Sequence, residues 1–196
     1  SERYSARLNS LMVATQTKVG LLKSDQHFIE LVDHQALGQS TVFDFYDRNN
    51  QLWLGTDNGL LLYNFDDQKV SRPFKELASS AIRVVQPHAQ AGLWFGGAGG
   101  LYHYDGKTLT AAPFNADLES GFVTVIEAQK HDLLIGTTSG LYWYQQEKLN
   151  RVGLGTPLFG AYITSVLTLP GQHMLVATLD DGLFIKTAQG QWQQYD

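Results

Sequence analysis

The sequence predicts an all-β fold, a β-propeller built of four-stranded antiparallel blades, and three observations lead there. The segment Gln51-Leu-Trp-Leu-Gly-Thr-Asp-Asn-Gly-Leu-Leu-Leu-Tyr-Asn64 returns in register along the chain, each copy marked by a Gly-Leu pair at Gly20, Gly59, Gly100, Gly140 and Gly182, a period of 39 to 42 residues. Each mark stands between two short β-rich runs, the pattern of a hairpin, since glycine accepts the positive φ of a tight turn. In the run after each mark the first two positions are both apolar, although successive side chains of a strand point to opposite faces, so both faces of each sheet are covered. Four-stranded units covered on both sides at a period of about forty are propeller blades.

The five blades fall at about residues 1–37, 38–78, 79–118, 119–159 and 160–196. In the first, a short polar strand around Glu2 to Arg7 precedes Leu11-Met-Val-Ala-Thr15, and the turn Gln16-Thr-Lys-Val19 leads to Gly20. The second has strands at Thr41 to Asp47, Leu52 to Thr56, Leu60 to Tyr63 and Lys69 to Phe74, and the third at Ala81 to Gln86, Leu93 to Gly97, Leu101 to Tyr104 and Thr108 to Phe114. The fourth has them at Phe122 to Glu127, Leu133 to Thr137, Leu141 to Tyr144 and Lys148 to Val152, and the fifth at Tyr162 to Thr168, Met174 to Thr178, Leu183 to Lys186 and Gln191 to Tyr195. The fourth residue of every second strand is Ala or Gly, as expected where blades crowd toward an axis.

Composition narrows the function classes. With 196 residues and 43% hydrophobic content the chain can bury a substantial core as one domain. A net charge of -5 and 14 scattered basic residues exclude a nucleic-acid platform or an anionic membrane surface as partner, since phosphates need clustered Lys and Arg. Cysteine is absent, which removes disulfides and thiolate metal sites. No apolar run approaches the roughly 20 residues that span a bilayer, so the segment is read as not membrane-embedded, with any anchor outside it.

The run Leu52-Trp-Leu-Gly-Thr-Asp-Asn-Gly-Leu-Leu-Leu-Tyr-Asn64, preceded by Val42-Phe-Asp-Phe-Tyr-Asp47, resembles the two-component regulator propeller repeat of the extracytoplasmic sensor regions of bacterial hybrid histidine kinases and diguanylate cyclases. All five copies share the resemblance, which is strongest in the second to fourth; the first departs in its turn and opening strand. It implies a periplasmic sensor segment of an inner-membrane receptor, with kinase or cyclase domains elsewhere. Rings of that family commonly hold about seven blades. The five copies are therefore read as part of a larger propeller, an open arc that associates with a second copy or with the missing segment.

His88, His131 and His173 fall in the turns between first and second strands of three successive blades, on separate sheets about 10 Å or more apart, and read as solvated turn residues rather than shared ligands. His103 lies inside a strand and reads as core; His27 and His34 read as surface. Asp66-Asp67 reads as a turn. Gly96-Gly-Ala-Gly-Gly100 lacks the Lys and helix of a phosphate loop, and Ser139 lacks the glycine two residues ahead that a nucleophile elbow needs. No catalytic residue, metal ligand or cofactor site is expected.

What remains is topology. In a propeller the turns between second and third strands and the loops between blades gather on one face. That face would carry Lys18, Asp57, Asn58, Ser139, Asp180 and Asp181 from turns, and Ser40, Ser80, Ser120 and Tyr162 from loops. Small polar groups from several blades suit a polar small molecule, a glycan or a peptide. The sequence thus points to a non-catalytic ligand-binding sensor. A protein–protein scaffold is the alternative, and behind it a propeller lyase or hydrolase.

Overall fold

The computed structural model describes residues 2–5, 8–15, 17–25, 27–88, 92–119, 121–129 and 132–195. Among the described residues, twenty strands form five four-stranded sheets in which sequence neighbours pair throughout. Sheet 1 holds β1 (Glu2–Ser5), β2 (Ser10–Ala14), β3 (Val19–Leu22) and β4 (Phe28–Val32), and sheet 2 holds β5 (Val42–Arg48), β6 (Gln51–Thr56), β7 (Gly59–Asn64) and β8 (Lys69–Ser71). Sheet 3 holds β9 (Ile82–Pro87), β10 (Leu93–Gly97), β11 (Gly100–Tyr104) and β12 (Leu109–Ala111). Sheet 4 holds β13 (Val123–Gln129), β14 (Asp132–Thr137), β15 (Gly140–Gln145) and β16 (Lys148–Arg151). Sheet 5 holds β17 (Ile163–Leu169), β18 (His173–Thr178), β19 (Leu183–Lys186) and β20 (Trp192–Tyr195). The chain divides into two compact units, residues 1–85 and 86–196, with the boundary inside β9.

The expectation that both faces of each third strand are covered holds in sheets 2 and 4 but not in sheet 1, where Leu22 is exposed. The consecutive residues Leu60 and Leu61 are both buried, as are Leu141 and Tyr142, although each pair points to opposite faces. The Ala/Gly column also has its reason. A Cβ on Gly55 would stand 2.7 Å from Ile82 O, one on Gly96 2.7 Å from Val123 Cγ1, and one on Gly136 2.7 Å from Ile163 Cγ2. Ile82, Val123 and Ile163 each open the first strand of the following sheet, so the missing side chain lets that strand approach. Those first strands slip register by one residue at Val42/Asp44, Val123/Val125 and Ile163/Ser165, the signature of a bulge repeated in three sheets.

First strands of neighbouring sheets are also stitched by polar groups. In unit 1, Ser5 Oγ donates to Asp47 Oδ2 at 2.5 Å, Arg3 pairs with Asp44 at 3.3 Å, and Asp44 Oδ2 accepts Val85 N–H at 2.8 Å. In unit 2, Thr124 Oγ1 donates to Ile163 O at 2.6 Å, and Glu127 accepts both the N–H and the hydroxyl of Thr168.

Loops between sheets carry a second repeated device that the sequence reading did not contain. Leu37, Leu77, Leu118 and Leu158 each drop from the inter-sheet loop into the core, and the carbonyl of each accepts the N–H of the residue three further on: Ser40, Ser80, Gly121 and Ala161. Three of these loops wind through short 3-10 turns, Lys75–Leu77, Asn115–Asp117 and Pro157–Gly160.

One expectation needs correction. The Gly-Leu pair of the first copy does not occupy the hairpin position. Ala14 pairs with Val19 as Gly55 pairs with Leu60, which makes Lys18, not Gly20, the counterpart of Gly59. Gly59, Gly100, Gly140 and Gly182 have positive φ, whereas Gly20 is ordinary strand backbone. Gly20 is required for a different reason: a Cβ there would collide with Ile29 O and the Phe28 ring of β4.

Candidate functional site

The turn between second and third strands is built the same way in three sheets. Thr56 Oγ1 donates to Gly59 O (2.6 Å) and accepts Asn58 N–H (3.1 Å). Thr137 does so with Gly140 O (2.9 Å) and Ser139 N–H (3.2 Å), and Thr178 with Gly182 O (2.8 Å) and Asp181 N–H (3.0 Å). The next amide then reaches the loop ahead of the same sheet: Asp57 N to Thr41 O (3.1 Å), Thr138 N to Phe122 O (3.2 Å) and Leu179 N to Tyr162 O (2.9 Å). In each of these sheets, turn and inter-sheet loop therefore share one end, as the topology requires.

A side chain at the end of the fourth strand closes the same turn. Arg72 Nη1 donates to Asn58 O (2.5 Å), Arg151 Nη2 to Ser139 O (2.6 Å), and Gln194 Nε2 to Asp181 O (3.0 Å). These three residues occupy one column, opposite Leu61, Tyr142 and Phe184 or adjoining that pairing. In sheet 1 the column holds Glu30, opposite Gly20, and the tie runs to the Lys18 ammonium at 2.5 Å; this hydrogen-bonded pairing raises the Lys18 pKa. In sheet 3 the column holds Ala111, and Asn115 takes over by accepting Leu101 N–H and donating to Leu101 O, both at 2.9 Å. The guanidinium of Arg151 is the most committed of the set. It also bonds Phe159 O (2.9 Å) and Glu119 Oε2 (2.5 Å) and stacks 3.9 Å above the Phe159 ring.

The sequence-derived candidates can be placed against this scaffold. In unit 1, Asp57 and Asn58 are exposed, Ser80 is half-buried, and Lys18 is exposed but ion-paired. Asp57 is partly spent on structure, because its Oδ1 accepts Thr41 N–H at 2.9 Å and so binds turn to loop. Ser40 is buried, with its hydroxyl unpartnered among the described residues. In unit 2, Asp180 is exposed, while Ser139, Tyr162 and Asp181 are half-buried. Tyr162 and the turn of Asp180 are brought together through the Leu179 bond. Ser120 lies outside the described residues; the loop position equivalent to Ser40 and Ser80 is Gly121.

The other end of the sheets differs from expectation. His88 is not a solvated turn residue: it packs edge-on against Trp94 (5.7 Å) and His103 (4.8 Å), whose rings lie 4.6 Å apart. His103 is a packed strand residue, as expected, and His131 lies outside the described residues. His173 opens β18 and borders a cleft of about 810 Å³ between sheets 4 and 5, whose walls include Trp143, Lys186, Thr187, Gln129 and Gln145. Sequence reading missed this cleft, because Trp143 and Lys186 fall on strand period and look like packing. Among the described residues no group of three or more His, Asp or Glu is placed to hold a metal ion.

No family model matches the chain, and no curated protein matches it. Solved structures do. The chain superposes on the extracellular domain of BT4673 from B. thetaiotaomicron, described in one structure as a one component system and in another as a hybrid two component system, with TM-scores of 0.82 and 0.81. The identities are 19% and 18%, and each superposition covers 99% of this chain and 27% of that one. The extracellular domain of the hybrid two component system BT3049 from the same organism aligns over 98% of the chain and 34% of its own length, at TM-score 0.63 and 18% identity. Virginiamycin B lyase from Staphylococcus aureus aligns over 99% and 68%, at TM-score 0.71 and 13% identity. The fold is a β-propeller. The five sheets are its blades, and the chain spans about a quarter of the length of the BT4673 domain.

Proposed function

We propose that the chain is a non-catalytic, ligand-binding propeller segment of a bacterial signal-transduction receptor, exposed in the periplasm and passing its signal to output domains outside this sequence. The observation that carries this reading is the match along 99% of the chain to the extracellular domain of a two component or one component system. The ligand is a polar small molecule, a glycan or a peptide. Its candidate contacts are Asp57, Asn58 and Ser80 at the turn-and-loop end of unit 1 or, separately, Ser139, Tyr162, Asp180 and Asp181 at that end of unit 2. Support comes from the rigidity of that end: hydrogen bonds fix each turn before any ligand arrives, which lowers the ordering cost of binding. Signalling follows if the ligand favours one of two arrangements of the propeller and its neighbouring domains. Such a segment is further expected to pair with another copy or with the rest of its propeller.

A thermal-shift screen of soluble sugars and peptides tests the reading, since a ligand that binds only the folded form raises stability. A hit whose effect is lost in Asp180→Ala, with the unliganded stability intact, is the expected result. A screen without hits, together with capture of a second chain by the free protein, would replace the sensor with a scaffold.

A further inference from the structure

We propose that the cleft between sheets 4 and 5 binds a small organic carboxylate, with the acid group on Lys186 and a flat apolar face on Trp143. This site lies at the opposite end of the sheets from the turns and loops considered above, and it does not depend on the sensory reading. Its volume of about 810 Å³ is within the range that encloses small ligands.

The wall chemistry selects the ligand class. Among the described residues no Asp or Glu lines the cleft, and Lys186 is the one Lys or Arg that does, in a chain whose net charge is -5. The Lys186 ammonium lies 5.4 Å from the Trp143 ring centroid and 6.0 Å from that of Trp192, and no carboxylate pairs with it among the described residues. The acids bonded to the lining are already engaged: Glu127 accepts from Thr168, and Asp132 accepts Gln145 Nε2–H at 2.8 Å. Two wall atoms, Trp143 Nε1 and Thr187 Oγ1, are buried without a hydrogen-bond partner among the described residues, where most buried polar groups have one. One ammonium without an arginine fork or helix N-terminus suits a carboxylate better than a phosphate. The exposed face of an indole suits a flat apolar ring.

The cleft exists because sheet 5 departs from the repeat at this end. Sheets 2, 3 and 4 carry Tyr63, Tyr104 and Tyr144 where sheet 5 carries Lys186. The connection from β19 to β20 is also longer, closed by Thr187 N–H to Gln191 O at 2.9 Å around Ala188, Gln189 and Gly190, whereas Gln145 pairs directly with Lys148 around two residues.

Isothermal titration of the intact chain with two matched pairs tests the proposal: benzoate against benzyl alcohol for an aromatic acid, and galacturonate against galactose for a sugar acid. At least one acid should bind about tenfold more tightly than its neutral partner, the worth of one charge-assisted contact, and should shift the Trp143 indole N–H resonance. Lys186→Met should abolish the preference and Lys186→Arg should keep it, with both variants retaining the wild-type melting temperature. Equal affinity of acid and neutral partner in the wild-type chain would overturn the proposal. So would an undiminished acid preference in Lys186→Met, or no binding of either acid at about 10 mM.

Discussion

Arg151 and Arg72 occupy one column of the repeat, yet they should differ sharply when replaced by methionine, which keeps the aliphatic stem and removes the charge. The Arg151 side chain is only 18% exposed and makes two bonds to carbonyls, Ser139 O and Phe159 O, besides stacking on Phe159. Charge-assisted bonds to backbone contribute about 1 to 1.5 kcal/mol each after water competition, and the stacking about 0.5 to 1. The Glu119 partner is 62% exposed, so that ion pair adds about 0 to 1 kcal/mol at most. Arg151→Met should therefore cost about 2.5 to 5 kcal/mol. Arg72 is exposed and makes one short bond, to Asn58 O, with a second contact to Ala78 O stretched to 3.5 Å. Arg72→Met should cost about 0.5 to 1 kcal/mol. Urea unfolding of the two variants measures both, and amide exchange at Thr138 and Ser139 should quicken only in the first. Equal losses, or an Arg151→Met variant within about 0.5 kcal/mol of wild type, would refute the idea that this column clamps the turn.

Three further outcomes are expected. Gly136→Ala places a methyl against Val125 Cγ1, its nearest neighbour, and 2.7 Å from Ile163 Cγ2; overpacking of about 1 to 3 kcal/mol less a backbone-entropy gain of about 0.4 to 1 leaves a loss of about 0.5 to 2, and a thermal melt at wild-type temperature would contradict it. Asp44 has a raised pKa, chiefly because burial disfavours its charge, against the opposing Val85 N–H and Arg3. Between the ordinary value of 3.8 and that raised value the folded state holds more protons than the unfolded, so this group's contribution falls as pH rises through the window. Asp44→Asn should flatten that part of a stability-versus-pH curve, and identical curves would exclude the effect. Asp57→Ala should cost about 1 kcal/mol by freeing Thr41 N–H, while exposed Asp180→Ala should change stability by less than about 0.5, a contrast that denaturant midpoints resolve.

Strand content, blade phase and the Ala/Gly column were legible because each repeats at strand period with chemically distinct residues. The hairpin was read from glycine, but the conserved actor is the threonine hydroxyl of Thr56, Thr137 and Thr178, and Thr15 does the same to Lys18 O without any glycine. Leu37, Leu77, Leu118 and Leu158 stand in step with the repeat, yet they lie in loops, where no alternation of strand residues marks a buried position. The clamp column was invisible for another reason: its partners are backbone carbonyls, which leave no mark in a sequence. The cleft required two sheets whose contributing residues run from Gln129 to Gly190, and no local pattern joins them.

A repeat protein can present a unique surface only where its repeats stop being equivalent. At the turn-and-loop end, sheets 2, 4 and 5 are knitted by the same three bonds: threonine to carbonyl, turn amide to loop, and clamp side chain to turn. A substitution there disturbs packing before it creates specificity, as the double duty of Asp57 illustrates. The other end is bonded differently, by contacts between first strands such as Ser5 to Asp47 and Glu127 to Thr168, and its connections differ from sheet to sheet. Asn49 and Asn50, both at positive φ, join β5 to β6, whereas Pro170-Gly171-Gln172 joins β17 to β18. Its aromatic column can even change character, from Tyr144 to Lys186 across one cleft. Recognition that distinguishes this propeller from another of the same fold should therefore concentrate where the repeat is broken. In unit 2 that places it around Trp143, Lys186 and Thr187, so exchanging Lys186 for tyrosine should restore the repeat and close the cleft, leaving β13 to β20 folded.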